Sequence, residues 1–92
     1  MSDLYSQFQP GAILHEVIKG GFVSQGRSFT RWCRDQGISQ ATARNATFGQ
    51  SRGPAGERLL RAMIEAAGME FVQRNYRDRM KAHVNAIGGG SA

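Results

Sequence analysis

Glycine and proline divide this chain into short segments, and no segment is long enough to be stable by itself. Between these breaks the apolar residues recur every three or four positions, which is the period of an amphipathic helix. No segment alternates apolar and polar residues over the length of a strand. Because helices this short are marginal in water, they must pack against one another. The pattern therefore predicts an all-α fold, a compact domain of four to five short helices.

The residues at the breaks predict where each helix begins and ends. Ser28 and Ser39 are good N-caps, and Pro10 suits a first helical turn. Gly20-Gly21 is expected to end or loosen the first helix. The predicted helices cover residues 10–19, 29–36, 40–48, 54–67 and 69–86. The chain is thus expected to have three parts, namely a loose N-terminal segment at 1–9, the helical domain at 10–86 and a flexible tail at 87–92.

Chain length and the scarcity of reactive groups argue against an enzyme. At 92 residues and 10.1 kDa the chain can form one core, with no second domain to enclose a substrate cleft. Cys33 is the single cysteine, and neither His15 nor His83 has partners at metal-ligand spacing. We therefore expect no catalytic activity, no metal, no cofactor and no small-molecule substrate.

Two further features bear on where the protein works. No stretch approaches the roughly 18 consecutive apolar residues of a membrane span. The first residues lack the basic start and apolar run of a signal peptide. These features predict a cytoplasmic protein without a membrane partner.

Positive charge is concentrated in the middle of the chain. The net charge is +5 and the pI is about 10.4, with ten arginines among the twelve basic residues. Residues 27–61 carry seven arginines and two acidic residues, whereas residues 1–26 and 62–92 come to −1 and +1. Arginine binds phosphate and guanine edges in a bidentate manner. Such a concentration is typical of a surface that binds a polyanion.

Residues 29–48 have the pattern of a helix-turn-helix. The first helix needs a small residue where the second crosses it, and Cys33 is small. Gly37 follows four residues later, where a tight turn needs glycine, and Ile38 supplies an apolar residue next to it. Ala43 and Ala46 give the second helix a small inner side.

Burying that inner side predicts which residues read DNA. Glutamine and asparagine can bond an adenine edge, arginine a guanine edge, and alanine can touch a thymine methyl. The candidates for base reading are Ser39, Gln40, Ala41, Arg44 and Asn45. The candidates for contact with the DNA backbone are Arg27, Ser28, Thr30, Thr42, Gln50, Ser51 and Arg52.

The stretch from Arg27-Ser28 to Arg79-Met80 resembles a known family. The resemblance is carried by Gly-Ile-Ser-Gln-Ala-Thr-Ala-Arg-Asn-Ala at 37–46, Gly-Pro-Ala-Gly-Glu-Arg-Leu-Leu at 53–60 and Tyr76-Arg77. With these motifs the stretch is similar to the Ner-like regulators of transposable phages, within the lambda-repressor-like helix-turn-helix class. The resemblance implies a lambda-repressor-like bundle of four or five helices that binds operator-like DNA and regulates transcription, as a repressor does.

Two functions therefore remain open. The first is a phage-derived, sequence-specific regulator of transcription that reads the major groove of double-stranded DNA with helix 40–48. The alternative is a protein-interaction adaptor, or an antitoxin-like module, on the same helical fold. An apolar row on the last helix predicts a homodimer, which would place two recognition helices on one face of the DNA. The row consists of Met69, Val72, Tyr76, Met80 and Val84.

Overall fold

The computed structural model describes residues 4–50 and 53–89, which contain five α-helices and one 3₁₀ turn. The described residues contain no strand, so the predicted all-α class with four to five helices is confirmed. The 3₁₀ turn covers Leu4–Gln7. The helices are α1 Ala12–Ser24, α2 Phe29–Asp35, α3 Gln40–Thr47, α4 Pro54–Ala67 and α5 Met69–Gly89.

Helix α1 lies at the centre of the fold and packs against each of the other four α-helices. Its apolar stripe of Leu14, Ile18 and Phe22 is fully buried. Met63 of α4 and Val72 of α5 close the same core from the other side. Full burial of such side chains contributes about 1.5–3 kcal/mol each. This core is what holds the short helices together.

The predicted end of the first helix at residue 19 is wrong, because α1 continues through Gly20 and Gly21 to Ser24. Gly21 is buried against α4, and a Cβ there would lie 2.5 Å from the carbonyl oxygen of Ala67. Glycine at this position permits a close helix contact. The tertiary contact therefore outweighs the low helix propensity of the two glycines.

The N-terminal segment is not loose over residues 4–9. Phe8 is only 5% exposed, and its ring packs edge-on against Tyr76 at 5.3 Å between centroids. The Gln9 N–H donates to the Tyr76 hydroxyl at 2.9 Å, and the Tyr5 hydroxyl donates to Glu65 at 2.8 Å. The segment thus forms part of the core wall beside α5. Residues 1–3 lie outside the described part of the chain.

Helix α5 is longer than predicted and extends to Gly89, into the segment expected to be a flexible tail. Residues 90–92 lie outside the described residues. An ion pair links α5 to α1, with the Arg79 guanidinium donating to the Glu16 carboxylate at 2.8 Å. This arginine holds the pKa of Glu16 below its usual range.

Candidate nucleic-acid interface

Helices α2 and α3 are joined by a tight turn whose geometry follows from its residues. Gly37 has φ +71°, a left-handed conformation that glycine adopts without strain. The next N–H, that of Ile38, donates back to the Cys33 carbonyl at 3.0 Å. Ser28 caps α2 by accepting from the Arg31 N–H, and Ser39 caps α3 by accepting from the Thr42 N–H at 3.0 Å. The two helices therefore have fixed starts and a fixed connection.

The small residues predicted to lie inside are buried. Cys33 is 1% exposed, and Ala43 and Ala46 are also buried on the inner side of α3. Burial raises the pKa of the Cys33 thiol, which suits an unreactive packing role. Phe22 of α1 packs against Trp32 at 5.6 Å between ring centroids, fixing α2 on α1. The opposite side of α3 is left exposed to solvent.

The outer face of α3 presents the predicted base-reading residues together. Gln40, Ala41, Arg44 and Asn45 are exposed and line one cavity of about 350 Å³. Ser39 is also exposed, but its hydroxyl serves the N-cap and bonds to the Thr42 hydroxyl at 2.9 Å. The Arg44 guanidinium lies over the Phe48 ring, 5.5 Å from its centroid.

Helix α1 contributes two residues to this cavity that sequence reasoning did not include. His15 and Lys19 line it opposite α3. They are four residues apart, so they lie on the same side of α1. Their spacing in the sequence indicates that they share one side of α1, but it does not indicate which other helix that side faces.

His15 is tied to α3 by two consecutive hydrogen bonds. The Thr47 hydroxyl donates to the Arg44 carbonyl at 2.9 Å, so the Thr47 oxygen is left to accept from His15 Nδ1–H, also at 2.9 Å. Burial lowers the pKa of His15, and the nearby charges of Lys19 and Arg44 lower it further. The imidazole is therefore neutral near neutral pH.

None of the described residues predicted to contact the DNA backbone lines this cavity. Ser28 lines a separate groove with Arg27 at the start of α2, Thr42 lines another groove with Leu59 of α4, and Thr30 is exposed next to Phe29, whose side chain does line the cavity. Thr42 and Gln50 are exposed, and the Gln50 N–H donates to the Asn45 carbonyl at 2.8 Å. Ser51 and Arg52 lie outside the described residues.

Arg27 is held at a different place. Its guanidinium donates to the Ala66 carbonyl at 3.0 Å and lies over the Phe22 ring, 5.1 Å from the centroid. Gln25 donates to the same carbonyl at 3.0 Å and to that of Ala67 at 2.8 Å. Both side chains thus satisfy carbonyls at the C-terminal end of α4, and Arg27 does not line the cavity between α1 and α3.

Two kinds of feature are absent from residues 4–50 and 53–89. No group of three histidine, cysteine, aspartate or glutamate side chains there could hold a metal ion. Within the same residues, no helix is both long and apolar enough to cross a membrane.

Comparison of the chain with protein-family models, with curated proteins and with solved structures finds no match.

Proposed function

We propose that this protein is a sequence-specific regulator of transcription that inserts α3 into the major groove of double-stranded DNA. The observation that carries the proposal is the division of α3 into two faces. Ala43, Ala46 and Thr47 are buried against the core, while Gln40, Arg44 and Asn45 share one exposed face. A rigid helix with such a face can enter a groove without disturbing the fold.

The chemistry of that face suits base edges. Arg44 can form a bidentate pair with guanine, and Gln40 and Asn45 can do the same with adenine. Ala41 leaves room for a thymine methyl group. Recognition helices enter the groove with their N-terminal end, so Ser39 and Gln40 would approach the bases first.

Charge and family resemblance support the same function. The net charge of +5 arises in residues 27–61, the segment that contains α2 and α3. Phe29, in the first turn of α2, lines the cavity on the exposed face of α3, so this turn is a candidate for phosphate contacts beside α3. The resemblance of this segment to Ner-like regulators favours repression of transcription. A phage-type regulator of this kind would act in the cytoplasm of its host.

One observation is compatible with both this function and the alternative, a protein-interaction adaptor or antitoxin-like module. An apolar cavity of about 440 Å³ lies on α5, lined in part by Tyr76, Met80 and Val84. Apolar surface of this kind is typical of protein contacts. A homodimer of a DNA-binding protein would use the same surface, so its existence does not separate the two functions.

Selection of bound duplexes from a random DNA pool tests the proposal. We expect a defined site to be enriched, and its affinity to fall steeply as salt rises because several arginines displace counterions. A pool that shows no enrichment, together with no salt-dependent binding to any duplex, would contradict the proposal and favour the adaptor.

Replacement of Arg44 by alanine tests the role of α3. We expect Arg44→Ala to weaken binding to the selected site by about 1–3 kcal/mol, with little effect on random DNA, because a bidentate base contact is lost. Arg74→Ala is the matched control, since Arg74 is exposed on α5. Equal losses on selected and random DNA would mean that Arg44 contacts phosphate instead of a base.

A further inference from the structure

The cavity between α1 and α3 is lined by cationic and polar groups from both helices. Lys19 enters it from α1 and Arg44 from α3, with the His15 imidazole between these helices. Among the described residues, no aspartate or glutamate lines it. An anion in this cavity would therefore meet attraction from at least two sides.

The hydrogen bonds of His15 determine which nitrogen can take up a proton. Nδ1 carries the hydrogen, because the Thr47 oxygen that it contacts has already donated its own hydrogen to Arg44. Nε2 is therefore the basic nitrogen of the neutral ring. Proton uptake from solvent occurs at Nε2 and leaves the hydrogen bond to α3 intact.

The groups around His15 oppose that proton in the free protein. Burial opposes it most, through the cost of desolvating a charged ring, and Lys19 on α1 and Arg44 on α3 also repel it. Glu16 on α1 acts in the opposite direction, but its carboxylate is already paired with Arg79. Phe29 and Phe48 complete the surroundings with uncharged rings. A bound anion would offset the repulsion from Lys19 and Arg44, but not the desolvation cost.

We propose that this cavity binds a backbone phosphate of DNA and that His15 takes up a proton when the phosphate binds. This inference rests on the proposed function, because it assigns α1 a part in the same interface. The phosphate would pair with Lys19, while Arg44 contacts a base, and the negative charge of the phosphate would stabilise the imidazolium. Binding and protonation are then linked, so each strengthens the other by the same factor.

The linkage fixes the direction of the pH dependence. Bound phosphate raises the pKa of His15 above its value in the free protein. The affinity for DNA therefore increases as the pH falls from the pKa of His15 in the complex to its pKa in the free protein. Above and below this interval, His15 makes the affinity no more dependent on pH. Uptake of one proton limits the increase to about tenfold per pH unit.

An NMR titration of the two histidines tests the proposal without any substitution. The pKa of His15 is measured in the free chain, with inorganic phosphate, and with a duplex that the chain binds. We expect the duplex to raise it, while exposed His83 on α5 serves as an internal control.

A rise with inorganic phosphate as well would indicate that a free phosphate suffices. A rise with the duplex alone would indicate that the DNA must supply it. A duplex that binds without raising the pKa of His15 overturns the inference and leaves the proposed function intact.

Substitutions give an independent readout from the same duplex. Lys19→Gln should reduce the slope of log affinity against log salt concentration by roughly one, the value for one phosphate contact. Arg74→Gln on α5 should leave this slope unchanged. His15→Gln should abolish the gain in affinity at low pH, and His83→Gln should retain it. An unchanged salt dependence in Lys19→Gln, or a full pH dependence in His15→Gln, would contradict the inference. Failure of the unsubstituted chain to bind any duplex would instead contradict the proposed function.

Discussion

At the scale of single residues, the two adjacent glycines of α1 have opposite roles. A Cβ at Gly21 would lie 2.5 Å from the Ala67 carbonyl oxygen, whereas one at Gly20 would meet only the Phe71 ring at 3.7 Å. We expect Gly21→Ala to lower the free energy of unfolding by about 1–3 kcal/mol through overpacking. Gly20→Ala should raise it, by up to about 1 kcal/mol, because alanine favours the helix. Denaturant unfolding of the two variants measures both changes.

Each of the two variants is the control for the other, because both place alanine at neighbouring glycines of the same helix. Similar unfolding free energies for both variants would mean that α1 and α4 can move apart at low cost. That outcome would contradict our explanation of why α1 continues past these glycines.

Residues whose role depends on local spacing were predictable, and those whose role depends on another helix were not. Cys33, Ala43 and Ala46 were predicted to be buried from the helix-turn-helix pattern, and they are. His15 and Lys19 come from a helix far earlier in the chain. Their position beside α3 follows from the way α1 packs across the whole fold, which no spacing within α1 encodes.

At the scale of helices, the N-cap of α3 connects stability with the candidate interface. The Ser39 hydroxyl accepts from the Thr42 N–H at 3.0 Å and also lies at the end that would enter the groove. We expect Ser39→Ala to lower the free energy of unfolding by about 1 kcal/mol. Ser39→Asp should retain the cap and hence the stability. Under the proposed function it should also weaken DNA binding, because it adds negative charge near phosphates.

Thermal or denaturant unfolding, followed by binding to the selected duplex, separates the two effects. If Ser39→Ala unfolds like the unsubstituted chain, the cap contributes nothing measurable to α3. If Ser39→Asp is stable and binds DNA with unchanged affinity, this end of α3 does not face DNA.

Helix boundaries were predictable where a local cap determines them. The starts of α2 and α3 fall where Ser28 and Ser39 predict them, and α4 runs from Pro54 to the residue before Gly68.

The N-terminal segment was predicted to be loose because its apolar residues show no helical period. Phe8 is nevertheless buried, since Tyr76 lies beside it. That partner is distant in sequence, so local pattern could not indicate the contact.

At the scale of the whole molecule, α5 divides into a part that closes the core and a part that extends beyond it. Val72 and Tyr76 are buried, Met80 is half-buried and Val84 is 59% exposed. The first half of the apolar row thus stabilises the chain itself. Truncation of the helix before Tyr76 would damage the core, so it cannot test assembly. The second half of the row is the surface that a partner could cover.

A second copy of this chain is the partner that best fits the proposed function. One recognition helix reads only a few base pairs, and two copies would place their α3 helices about 34 Å apart on an inverted repeat. Two linked half-sites also bind far more tightly than one. Helix α5 is about 30 Å long at 1.5 Å per residue, and its end carries the apolar cavity with Met80 and Val84. Two such ends can pair about a two-fold axis.

Replacement of Val84 by aspartate tests this assembly, with Val23→Asp as the matched control. Both valines are exposed, at 59% and 74%, so neither change should affect the fold of one chain. We expect the unsubstituted chain to sediment as a dimer, at least when bound to its site. Val84→Asp should sediment as a monomer with weakened affinity, because a charge would be buried between the two helices. Val23→Asp should leave the dimer intact, since Val23 lies on α1 outside the apolar cavity. A monomer in the unsubstituted chain, free and bound, at a single site without a repeat would contradict the dimer. That result would leave α3 as the reading helix of a protein that acts as one copy.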